Sequence, residues 1–206
     1  MESSSFALVV IGMIWALNLG ISFWNARVTG TVWVESKSMG GFVRFMTWMG
    51  AIMAACGFSW CLLIFLVLGG HALAPEYVTT PMVRASLSLG YLLIVPAILF
   101  SGTMIWIDSL VQAWKRRDLP SMGAAAWNTF AQAYNTYEAI DGIPQAFGEV
   151  MSFLKSEDDD EEGASAIAVM VGLVILAIGG GIIITAAIIK KYAATTPIAQ
   201  PSFARV

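Results

Sequence analysis

Apolar positions in this chain gather into four long blocks, Phe6 to Trp24, Phe45 to Gly69, Leu87 to Ile107 and Ala164 to Ile189, that hold almost no charge. A helix needs about 20 apolar residues to cross a hydrocarbon core of about 30 Å. Each block reaches that length. None shows the period-2 alternation of a barrel, so in lipid the backbone amides must be satisfied within helices. The pattern predicts an all-α, polytopic integral membrane protein forming a single membrane domain. Its four transmembrane helices are expected at 6–28, 43–70, 84–114 and 164–190.

Within the blocks, small residues recur at helical spacing. Gly12, Ala16 and Gly20 repeat every four residues in the first, and Gly50, Ala54, Gly57 and Cys61 share a face of the second. The fourth carries Gly172 and the triple Gly179, Gly180 and Gly181. Such stripes let membrane helices approach closely, and these positions are the expected helix-packing sites. Gly69 and Gly70 are expected to end the second helix before His71, and Pro96 to kink the third, with Ser101 or Thr103 relieving the lost hydrogen bond.

Between the third and fourth blocks the period changes. Trp127, Phe130, Tyr134 and Tyr137 step by three and four, while Asn128, Gln132 and Asn135 occupy another face. That describes an amphipathic helix. Asp141 and Gly142 read as a turn, and Pro144 as the first turn of a second helix carrying Phe147, Val150, Met151 and Leu154. The expectation for 115–163 is therefore an extramembrane helical hairpin followed by an acidic linker. Its greasy face, Trp127, Phe130, Tyr134, Tyr137, Phe147 and Met151, is the candidate partner-docking surface. A tail at 191–206, with Pro197 and Pro201, reads as extended.

Composition agrees with a bilayer: 58% of the 206 residues are hydrophobic and 12% charged, against about 25% charged in soluble domains. The amino terminus has Glu2 and three serines where a secretory leader carries basic residues, so the first span is expected to be retained. The net charge of −3 comes from one acidic run, Glu157 to Glu162, which excludes a nucleic-acid surface. That run lacks the alternating ligands and the glycine of an EF-hand and reads as a solvated linker. Cys56 and Cys61 lie five positions apart on one helix and point to different sides, so they cannot bridge.

Polar groups at membrane depth are few. Asn18 is the deepest, read as an interhelical hydrogen-bonding residue, and Asp108 lies near the interface. A lone His71, no nucleotide or haem signature and no hydrolase motif leave a short menu for acid–base chemistry, so no catalytic residue, metal site or cofactor is expected beyond bound lipid. Four spans place 25–42 and 115–163 on one side. Arg27, Lys37, Arg44, the Lys115, Arg116, Arg117 cluster and Lys155, against Arg84, Lys190, Lys191 and Arg205 on the other side, mark it as cytoplasmic, with both termini opposite. Lys190 and Lys191, right at a membrane exit, oppose that assignment. The expected function is a non-catalytic structural or assembly subunit of a larger membrane complex, partnered by lipid and by other membrane subunits or copies of itself. A small homo-oligomeric channel or transporter is the alternative, and a regulator binding a soluble protein through 121–163 is the third.

Overall fold

In the computed structural model, residues 2–37, 40–156 and 161–195 are described, and all of their regular structure is helical. Five α-helices follow in order: α1 (Glu2–Trp33), α2 (Gly41–Leu73), α3 (Thr80–Arg116), α4 (Leu119–Ser156) and α5 (Glu161–Thr195), with a short 3₁₀ turn at Glu35–Lys37. Three of them, α2, α3 and α5, are long and apolar enough to cross a membrane.

Several helices outrun their expected ends. Helix α1 continues past its expected end at 28 to Trp33, and the Arg27 guanidinium lies over the Trp24 and Tyr192 rings, 5.7 and 5.5 Å from their centroids. Gly69 and Gly70 do not break α2; Gly70 instead admits Val78, and the His71 ring nitrogen Nδ1 lies 2.6 Å from the Val78 carbonyl oxygen, tying the turn to α3. Residues 191–195, expected to be extended, continue α5, and 196–206 lie outside the described residues. Helix α3 passes through Pro96 without interruption, with the Ser101 hydroxyl donating to the Ala97 carbonyl at 2.7 Å and Thr103 to Leu99 at 2.7 Å.

The largest correction concerns 115–163. No turn forms at Asp141 and Gly142: α4 is one helix of 38 residues that runs straight through them and through Pro144. The reason is local. Gly142 lies against the Tyr91 hydroxyl of α3, so its missing Cβ makes room for a ring rather than for a turn. The chain reverses instead at Arg117 and Asp118. Arg117 takes the left-handed conformation at φ 53° and its amide bonds the Ala113 carbonyl, while Asp118 accepts the Ser121 amide at 2.8 Å. A two-residue connection of this kind makes an antiparallel helix pair, so the hairpin consists of α3 and α4.

The five helices stack as an antiparallel succession with α2 at the centre, touching α1, α3 and α5. Three layers of core run along the axis. Ala26, Ala54 and Phe58 form one, Leu63, Val67, Val174 and Ala177 the next, and Val78, Met82, Ala85, Phe153 and Met170 the last. Helix α4 packs almost wholly against α3 and closes the flank.

Because α4 travels the length of α3, residues 115–163 are not confined to one end of the bundle. They begin beside the end of α3 and finish beside its start, where α5 sets out. Lys190 and Lys191 therefore arrive at the same end as Arg27, Lys37, Arg44 and Lys115 to Arg117, which gathers eight of the 11 Lys and Arg residues there. Arg84, Lys155 and the start of α5 occupy the other end. Residues 157–160 of the acidic run lie outside the described residues.

Candidate functional site

The expected packing positions divide into two sets. On α2, Gly50 meets Thr29, Ala54 is fully buried and Gly57 meets Ser22, where a Cβ would collide with the hydroxyl. On α5, Gly180 meets Leu62, and a Cβ at Gly181 would sit 2.5 Å from the Ser59 amide nitrogen and 2.8 Å from the Ala55 carbonyl oxygen. These contacts bring backbones together, and Ser59 adds a 3.4 Å hydrogen bond to the Ile178 carbonyl. A Cβ added at Gly12, Gly20, Gly172 or Gly179 would meet nothing within 4 Å beyond its own helix, and Ala16 is exposed. The α1 stripe thus faces out of the bundle, whereas α1 binds α2 through Ser22, Thr29 and Trp15, whose indole donates to the Cys61 carbonyl at 3.0 Å.

Asn18 is half-buried beside Gly57 of α2, and its carbonyl accepts the Ser22 hydroxyl at 2.7 Å. Asp108 is half-buried near the basic end of α3. Among the described residues no group of three metal-ligating side chains forms.

Helix α4 carries the surface that distinguishes the molecule. Its alanines Ala125, Ala139 and Ala146 are buried, and its polar side turns inward with them. Gln132 donates to the Thr103 hydroxyl at 2.8 Å and to the Leu99 carbonyl at 3.4 Å, its amide fitting against Gly102, where a Cβ would lie 2.6 Å from Oε1. Thr129 accepts the Trp106 indole at 2.8 Å, and the Tyr91 hydroxyl donates to the Glu138 carbonyl at 2.9 Å. Asn128 and Asn135 are half-buried. The aromatic side faces out, from 37% exposed at Met151 to 65% at Phe130 and Tyr137, with Trp127, Tyr134 and Phe147 between. Asp141 is exposed within it, while Glu138 is exposed at its edge, lining a groove with Tyr91 and Trp60. Both lie between the Gln132–Thr103 and Gly142–Tyr91 contacts, abreast of the apolar stretch of α3.

At the α3–α4 turn the Asp118 carboxyl is held below the usual carboxylate range, first by the hydrogen bonds from Ser121 and then by nearby Arg116. This cap, the inward role of Gln132 and the close approaches at Gly30, Gly90, Gly102 and Gly142 were not legible in the sequence. An isolated glycine gives no spacing signal, and an amphipathic pattern shows two faces without saying which one is covered.

No protein-family model, curated protein or solved structure matches the chain.

Proposed function

We propose that the protein is a non-catalytic structural subunit of a larger membrane assembly and that the outer face of α4 is where it docks. The carrying observation is the inverted polarity of that helix, with amides turned to α3 and aromatic rings and the Asp141 carboxylate turned out. The stripe from Trp127 to Met151 is about 36 Å long at 1.5 Å per residue. Water is a poor solvent for an apolar stripe of that extent. Lipid is a poor solvent for Asp141, since carboxylates at membrane depth are paired within protein or reach a water-filled cavity. A second membrane protein with a polar or basic group opposite that acid satisfies both halves of the surface.

On this reading α1 is a further span beside α2, α3 and α5, and its outward Gly12, Ala16 and Gly20 offer another close-approach face. The end that gathers eight Lys and Arg residues is cytoplasmic. This orientation differs from the one expected of four spans, because Lys190 and Lys191 join the basic side instead of opposing it.

The test is site-specific photo-crosslinking in native membranes. A probe at Tyr134 is expected to trap a second polypeptide, while one at Leu176, 65% exposed on α5, traps only lipid. Lipid adducts alone at both positions, together with ion flux through the purified protein in liposomes, would overturn the proposal in favour of a channel.

A further inference from the structure

A cleft of about 720 Å³ opens between α2 and α5 at the basic end. Its walls are short or apolar, with Ala51, Ile52 and Ala55 facing Ile182, Ala186 and Ile189, and Lys190 stands at its rim. Trp33 and Trp48, edge to face at 5.1 Å, close one side. The same two rings form the wall of a second pocket of about 320 Å³, whose other lining residues, Ser36, Arg44 and Thr47, are polar. An apolar slot and a polar pocket carrying an arginine thus share a tryptophan partition.

We infer that this site holds an anionic phospholipid, one acyl chain lying in the α2–α5 cleft and the phosphate held at its mouth by Lys190. The dimensions and charge of the cleft select this occupant. The lining from Ile182 to Ala194 runs along about 18 Å of helix at 1.5 Å per residue, close to the roughly 15 Å depth of one leaflet of a 30 Å core. Positive charge is concentrated at the end where it opens, and basic pockets between membrane helices on the cytoplasmic side attract anionic headgroups. Tryptophans at the mouth match the headgroup level of a bilayer. The inference rests on the membrane placement of α2 and α5 and is independent of what docks on α4.

The test uses the full chain, purified in mild detergent and stripped of native lipid. Retention of added dioleoyl phosphatidylglycerol and dioleoyl phosphatidylcholine is read by native mass spectrometry, and thermal stability is read with each lipid and with inorganic phosphate. Wild type is expected to retain the anionic lipid preferentially and to be stabilised by it, with no effect of phosphate alone. Ala186→Phe, which fills the slot, is expected to lose both lipids. Lys190→Gln is expected to keep the phosphatidylcholine signal and to lose about fivefold in phosphatidylglycerol retention, the worth of one basic residue at an anionic surface. Leu176→Phe, on the outer face of α5, is expected to behave as wild type. Equal retention of the two lipids by wild type, stabilisation by phosphate alone, or undiminished phosphatidylglycerol binding in folded Ala186→Phe would each overturn the assignment. Should Ala186→Phe fail to fold, an unchanged lipid preference in Lys190→Gln overturns it instead. A failed crosslink from Tyr134 leaves this result untouched, so the two proposals fail separately.

Discussion

Helices α4 and α5, at 38 and 35 residues, are nearly equal in length, yet they bury opposite things. Helix α5 turns glycine and small apolar groups inward, Val174, Ala177, Gly180 and Gly181, and presents Ile175, Leu176, Ile182 and Ile183 outward. Helix α4 turns alanines and amides inward and presents aromatic rings with the Asp141 carboxylate among them. In lipid, outward apolarity costs nothing, and helices associate through close backbone approach and interhelical hydrogen bonds rather than through the hydrophobic effect. α5 relies on the first of these and α4 on the second. An all-apolar outer face is complete once lipid surrounds it; a face that mixes rings with a carboxylate is not.

The contrast can be broken most severely at the α2–α5 contact. Gly181→Leu must displace backbone at Ser59 and Ala55, and the expected cost is about 3 kcal/mol, the upper range for overpacking. It should appear as a large fall in melting temperature in detergent, while Gly172→Leu, with open space around it, melts like wild type. On the α3–α4 side, Gln132→Leu removes the bonds to Thr103 and Leu99. The expected loss is about 1 kcal/mol, typical of interhelical hydrogen bonds in membranes. Limited proteolysis should show it as faster cleavage within α4, with α5 unaffected.

A smaller effect belongs to the α3–α4 turn. The Asp118 carboxyl has a lowered pKa in the folded protein, so its stabilisation of the turn is present above the unfolded carboxylate pKa of about 4. It is lost as pH falls through the folded value. Hydrogen exchange at the start of α4 should therefore quicken on acidification, and Asp118→Asn should remove that dependence. The smallest effect on the fold is expected for Tyr134→Ser with Tyr137→Ser, which leaves the melting temperature unchanged because both rings are exposed. The same pair should abolish co-purification of the partner, separating docking from folding.

The membrane character of the chain was legible because apolar runs of this length, almost free of charge, have no stable place in water. The glycines Gly50, Gly57, Gly180 and Gly181 were legible as positions for close approach, although spacing did not reveal that the Gly12, Ala16 and Gly20 stripe faces outward. Helix α4 departs from its expected turn for a physical reason. Asp141, Gly142 and Pro144 spell a turn in water, where unpaired backbone is free to hydrate. Beside α3, the absent side chain of Gly142 serves the Tyr91 ring, and the helix continues. That one reversal displaced half of the polar segment, and with it the side expected for Lys190 and Lys191. The α2–α5 cleft left no trace in the sequence, since its walls come from helices more than 100 residues apart.

The pairing of α1 with α5 carries a consequence for biosynthesis. Gly30 is pressed against Tyr192, and Ala26 packs with Ile184 and Ile188, so the first helix made is completed by the last. Roughly 160 residues separate them, which at about 5–20 residues per second is some 10–30 s of translation. Throughout that interval one side of α1 and of the central α2 stands uncovered. The bundle closes only when α5 arrives, and a chain truncated before it would leave an unfinished seam of small residues for quality control to recognise.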